Sequence, residues 1–258
     1  MKKTYELNYG NKATINTGNY ENLSPMFNIK VVLEGVEKIN EVEEFERIKK
    51  IVDGQLYNSI EQVRQDQLLK SLKHIRITEK DGVKYPHVTS IIRPDPLEGI
   101  PNLELYGLRG DILHEVFQTI VKDGGYVSPF DDERLAPIGG LKDFDLEWIV
   151  DNRDFEFGNS EVEIFNTQDI YTGRYDADGL YQSKKAMFDL KSGNLTKKTI
   201  DDAFMQIAAY SQGLDIEVMV IIPCNPKIKK EPIVSKDIGM YYAKFKQKRI
   251  EFKERFGI

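Results

Sequence analysis

Ala186-Met187-Phe188-Asp189-Leu190-Lys191 reads as a strand, and that reading decides the fold. Side chains alternate across a strand, so Ala186, Phe188 and Leu190 share one apolar face that belongs in a core. Met187, Asp189 and Lys191 share the other face, which ends in a carboxylate beside an ammonium. A carboxylate is a hard oxygen ligand suited to Mg²⁺ or Mn²⁺. A neighbouring lysine can hold an attacking water or neutralise charge growing on a phosphate. Gly193 then lets the chain turn away at little steric cost. An isolated Asp-x-Lys is more often an ordinary strand-end salt bridge, so the surrounding segments must decide.

Upstream, residues 171–178 are again extended, with Gly173 followed by Asp176. Asp178-Gly179 and Gln182-Ser183-Lys184 are turn-like, which predicts an antiparallel pair that brings Asp176 near Asp189. Crowded carboxylates repel one another unless a cation lies between them. Asp178 shares the strand face of Asp176 and is the rival ligand; both also read as solvated turn residues. Downstream, 201–212 reads as a helix stopped by Gly213. Gln206 and Tyr210 stand one above the other on it, placed to orient the lysine or touch DNA, or else forming the polar edge of an amphipathic helix. Residues 108–117 predict another helix, with Ile112, Leu113, Val116, Phe117 and Ile120 as its buried stripe. His114 lies beside that stripe. Gly110, one turn earlier, weakens the helix and is expected to admit a close approach.

Gly110 to His114, Gly173 to Asp176, Asp189 to Lys191 and Gln206 to Tyr210 form an ordered set. The set resembles the RecB-like branch of the PD-(D/E)XK nuclease superfamily, with its Gly-x-x-x-His, Gly-x-x-Asp, Asp-x-Lys and Gln-x-x-x-Tyr motifs. Tyr85-Pro86-His87-Val88-Thr89-Ser90-Ile91 is similar to the Pro-Ser-Val-Thr-Ser-Ile entry of phage exonucleases and mitochondrial genome maintenance exonucleases, with His87 where serine is usual. The likeness covers roughly residues 83–225.

The resemblance implies an α/β, restriction-endonuclease-like core: a mixed central sheet flanked by helices. It implies a Mg²⁺- or Mn²⁺-dependent deoxyribonuclease, an exonuclease of recombination, repair or processing acting on DNA with a free end. Asp176 and Asp189 would bind metal with the Leu190 carbonyl, and His114 would be a further ligand. Lys191 would position or activate water, and Gln206 and Tyr210 would support the site. Relatives with an iron–sulfur cluster use four cysteines, and the single Cys224 cannot supply them. The alternatives are a catalytically inactive DNA-binding module on the same fold, or an endonuclease.

A chain of 258 residues is long enough for one large domain and an appendage. One cysteine excludes an internal disulfide and fits a reducing compartment. No apolar run approaches the ~20 residues that cross a bilayer. The first residues also lack the apolar stretch of a signal peptide. The expectation is a cytoplasmic protein, or a phage-encoded one in a host cytoplasm. The net charge of −6 argues against unspecific adhesion to nucleic acid. A nuclease then needs a local basic track, for which Arg109, Arg174, Lys184, Lys185, Lys197 and Lys198 are the candidates. No Walker A loop is present.

Residues 1–80 read as a small strand–strand–helix module, a candidate partner-binding element, and 81–258 as the nuclease domain. In the first, Phe27, Ile29, Val31 and Leu33 alternate as a strand, with 13–16 as hairpin partner. Residues 37–72 turn helical, with a Phe45, Ile48, Val52, Leu56 stripe that Gly54 is placed to interrupt. In the second, Asp81-Gly82 marks a hairpin, and Pro94, Pro96 and Pro101 make 92–107 irregular. Residues 143–157 predict a helix and loop, 161–165 a strand whose Glu163 is within reach of the site but reads first as a surface carboxylate, and 217–222 a buried strand. A basic C-terminal helix packs Ile238, Tyr241, Phe245, Phe252 and Phe256 along one face, leaving Lys244, Lys246, Lys248, Arg249, Lys253 and Arg255 outside.

Overall fold

The computed structural model describes residues 3–13, 15–16, 22–23, 26–36, 40–95, 97, 99–129, 132–141 and 143–258. It divides into two units, Met1–His74 with Asp95–Glu98, and Ile75–Pro94 with Gly99–Ile258. The division falls ahead of the Asp81-Gly82 hairpin rather than inside it.

In the first unit, strands β1 (Lys3–Lys12), β2 (Ile15–Asn16), β3 (Asn22–Leu23) and β4 (Met26–Val36) precede helix α1 (Glu41–Leu72). The partner of β4 is β1, paired from Lys3↔Val36 to Lys12↔Met26, and not 13–16; Ile15 and Asn16 pair with β3 instead. The longer antiparallel ladder wins because it satisfies ten residues' worth of backbone groups. Of the predicted stripe, Ile48, Val52 and Leu56 are buried, whereas Phe45 is exposed. Gly54 does not break the helix, because one glycine costs about 1 kcal/mol and thirty-one other positions carry it.

The second unit begins with β5 (Ile77–Lys80) and β6 (Val83–Pro86), a hairpin whose Asp81 and Gly82 both take the left-handed conformation. Then come α2 (Val88–Ile92), α3 (Leu103–Asp123), a 3-10 turn at Glu133–Ile138 and the single turn α4 (Glu147–Val150). Helix α3 starts five residues before the predicted 108, since proline is tolerated just ahead of a first turn and Pro101 sits there. The rest of the chain is β7 (Phe155–Asn166), β8 (Tyr171–Tyr181), β9 (Lys184–Lys191), α5 (Lys197–Tyr210), β10 (Val218–Pro223), β11 (Ile233–Ser235) and α6 (Ile238–Phe256). Strand β7 is longer than the predicted 161–165. Its first residues, Phe155 and Phe157, pack with Phe188, Tyr181 and Trp148, and that aromatic cluster draws them into the sheet.

These strands form a five-stranded sheet in the order β11-β10-β9-β8-β7. Strands β7, β8 and β9 are an antiparallel meander, β10 lies parallel to β9, and β11 is antiparallel to β10. A parallel neighbour needs a crossover, and α5 supplies it. Both faces are covered, so β10 reads as an unbroken apolar run. Ala186, Phe188, Leu190, Val218, Val220 and Ile222 face one core with Leu113 and Phe117 of α3. Met187, Met219 and Ile221 face the other, with α2, α5 and α6.

The β8–β9 turn is Gln182-Ser183, both left-handed. Asp178-Gly179 is not a turn but lies inside β8, beside a bulge between Phe157 and Ser160 of β7. A Cβ on Gly179 would stand 2.1 Å from the Glu156 carbonyl oxygen, so the bulge admits only glycine there. In α6, Arg249 is buried rather than outward, and donates to the Asp169, Ile170 and Ile258 carbonyls. Among the described residues, no helix is long and apolar enough to cross a membrane.

Candidate active site

Strand alternation breaks once in β8, at Asp176. Tyr171 and Tyr175 pack toward α5, whereas Ala177 and Tyr181 pack toward α3. Glu161, between the β7 residues paired with Ala177 and Tyr175 and so across from Asp176, has φ +55, a left-handed conformation that a non-glycine residue seldom adopts. Such backbone strain persists only where its surroundings enforce it, and it gathers at functional sites.

Four elements bring their polar groups together at this break. Buried Asp176 accepts the Leu190 N–H at 2.7 Å through Oδ2. His114 of α3 places Nδ1 3.5 Å from Asp176 Oδ1 and 3.9 Å from Glu161 Oε1. Lys191 grips Asp189 with Nζ 2.9 Å from Oδ1 and 2.7 Å from Oδ2. Burial first, and the Asp189 charge second, push the Asp176 carboxyl up to about 6, against His114, Lys191 and the Leu190 N–H.

Tyr210 is buried and does not reach solvent, so it does not touch DNA as a surface group would. Its hydroxyl contacts the Gln206 side chain and the Arg174 backbone amide. Its ring lies on Gly173, where a Cβ would stand 2.6 Å from Cε1 and 2.7 Å from the hydroxyl oxygen. The glycine of one motif therefore exists to seat the tyrosine of another. Burial and the Asp176 and Asp189 charges push the Tyr210 hydroxyl well above its ordinary range. At Gly110, by contrast, a Cβ would meet only Ser192 Oγ at 4.0 Å, so no protein atom accounts for that glycine.

A cleft of about 350 Å³ opens beside these groups, lined by Thr89, Arg93, His114, Lys191, Asn194, Thr199 and Gln206 among others. Val88–Ile92, from the Tyr85–Ile91 segment, contributes Thr89, while Ser90 accepts the Arg76 N–H and His87 pairs with Thr78. Arg93 stands at the cleft in an ion pair with Asp202, 2.8 Å apart. Nothing in the sequence marks it, because it lies in the proline-rich connection.

The sequence-predicted cations separate. Exposed Arg174 donates to Glu161 at 2.9 Å, and exposed Lys197 and Lys198 open α5 next to the cleft lining. Lys184 and Lys185 sit at the opposite end of β9, roughly 20 Å from Lys191 by the rise of a strand, and Lys185 pairs with Asp215. Arg109 is buried between Tyr106 and Phe144, 5.1 and 4.7 Å from their ring centroids, and cannot line a DNA track. Asp178 is held by the Tyr175 hydroxyl and the Asn159 amide rather than by the cleft. Glu163 is exposed.

The donor set suits a hard or borderline divalent cation. One ligand atom each from His114, Glu161 and Asp176 lies within 4.8 Å of the others. Asp189 stands outside that group, engaged by Lys191. Buried Cys224 donates to the Lys191 carbonyl at 3.5 Å, and burial pushes its thiol up to about 12, which leaves it unreactive. Neither a family model nor a curated protein matches the chain.

Proposed function

We propose that the second unit is a metal-dependent deoxyribonuclease of the PD-(D/E)XK type, RecB-like branch, acting on DNA ends. One observation carries this reading: Asp176, the Asp189–Lys191 pair and His114 come from two strands and one helix yet lie together beside the cleft that His114 and Lys191 line. The β7–β8–β9 meander, the α5 crossover and parallel β10 are compatible with a restriction-endonuclease-like core.

Asp176 and His114, with Asp189 and Leu190 beside them, would hold Mg²⁺ or Mn²⁺. When bound, the cation supplies positive charge at the phosphoryl group undergoing attack. Lys191 is held by Asp189 and is 29% exposed, so its ammonium faces the cleft. There it orients the attacking water and offsets charge on the phosphate oxygens. Gln206 lines the same wall and steadies Tyr210. Arg174, Lys197 and Lys198 offer phosphate contacts in an otherwise acidic protein.

End-labelled single- and double-stranded DNA, linear and circular, with Mg²⁺, Mn²⁺ or EDTA, tests the reading. Cleavage should need the cation and a free end. Cutting of circles would make the enzyme an endonuclease, and binding without cleavage would make it a DNA-binding module. Lys191→Ala should lower turnover by about 10²-fold or more and leave DNA affinity within a few-fold. Normal turnover by that variant would remove the mechanism.

A further inference from the structure

Glu161 is a residue that no motif points to. By strand alternation it would share a face with exposed Glu163. It shares that face with Arg174, the partner of Glu163 in the ladder, and lies across from Asp176, with Oε1 toward His114 and Oε2 held by Arg174 at 2.9 Å. The carboxylate is thus pinned by one oxygen and presents the other.

The gap it faces is wider than a hydrogen bond. His114 Nδ1 is 3.9 Å from Glu161 Oε1 and 3.5 Å from Asp176 Oδ1. Ligands about 2.1–2.3 Å from one ion stand about 3–4.5 Å apart, and these donors are spaced accordingly. A second observation comes from the neighbouring wall. Asp189 is buried with the Lys191 ammonium 2.7 Å from Oδ2, and buried Asp176 has no lysine or arginine in ion-pair contact among the described residues. The pocket therefore carries more negative charge than its protein cations neutralise in hydrogen-bonding geometry, which is what a cation site requires.

We propose that Glu161 is a protein ligand of the divalent cation, joining His114 and Asp176, and that Arg174 positions it. This deepens the nuclease reading and rests on it. One imidazole and two carboxylates favour Mn²⁺ over Mg²⁺ and Ca²⁺, because nitrogen donors suit later first-row ions.

The test is Mn²⁺ binding to the full chain without DNA, followed by calorimetry or by the electron paramagnetic resonance of free Mn²⁺. Glu161→Gln should weaken the affinity by about tenfold or more, a loss that even groups behind the ligands can cause. Glu163→Gln should bind as the parent does. Glu161→Gly is the second variant: glycine accepts the left-handed backbone freely, so it should fold at least as stably and still lose Mn²⁺. Parent-like Mn²⁺ affinity in a folded Glu161→Gln or Glu161→Gly would overturn the assignment, and so would a parent chain that binds no Mn²⁺. DNA cleavage is scored separately. Parent-like cleavage and Mn²⁺ affinity in the Glu161 variants would sink this inference alone, whereas a parent that cleaves no DNA would sink the nuclease reading.

Discussion

A single carboxyl shows how function opposes stability here. Asp176 is buried beside Asp189, and its pKa lies near 6 in the folded chain against 3.8 for an ordinary aspartate. A group whose folded pKa is raised favours the fold fully below the unfolded value, and that contribution is lost as pH climbs through the folded one. The metal-free protein should therefore lose stability between about pH 4 and pH 7 on account of this residue. Asp176→Asn keeps an acceptor for the Leu190 N–H and removes the charge. In EDTA at pH 8 it should be more stable than the parent by roughly 1–3 kcal/mol, and the gain should shrink toward zero near pH 4. Denaturant melts at the two pH values measure it; a variant less stable at pH 8 would show that the site is not under charge strain.

Between elements, the contact that matters is α5 against β8. Helix α5 begins with a capping box at Thr196 and Thr199 and buries Phe204, Ile207, Ala208 and Tyr210. The small Ala203, Ala208 and Ala209 let it lie close to the sheet, and Tyr210 takes up the space over Gly173. Gly173→Ala would drive a methyl into a buried ring, and overpacking of this kind costs about 1–3 kcal/mol. Thermal unfolding should show the loss. The double variant Gly173→Ala/Tyr210→Ala should cost less than the two single changes summed, because removing the ring removes the clash. Strict additivity would mean that the two residues do not touch. The same contact lies three residues from Asp176 on β8, so Gly173→Ala should also depress cleavage.

For the whole molecule, both hydrophobic cores are made from residues of the second unit alone, from Ile75 onward. A chain of 75–258 should fold cooperatively and keep its Mn²⁺ affinity within a few-fold; loss of either would tie the site to the first unit. Much of this architecture is legible in order along the chain. Alternation at 186–191, the unbroken apolar run of β10, Asp81-Gly82 and the Gln206–Tyr210 spacing are short-range patterns, and short-range patterns survive without coordinates. Asp176, Asp189 and Lys191 stand out in such patterns, and the sheet brings them together. Arg109, Lys184, Lys185 and Arg249 were misjudged because charge in a sequence carries no address. Burial between two rings, the far end of a strand and a carbonyl cage are distances between remote segments. Glu161 carries no signal in the sequence because its partners, His114 of α3 and Arg174 and Asp176 of β8, are remote along the chain. Local alternation is enough to say which strands are apolar on which face, and hence a two-cored sheet with an acid and a lysine at the end of its central strand. Only the tertiary structure decided which charges meet there, because electrostatic energy falls with distance in space and not with separation along the chain.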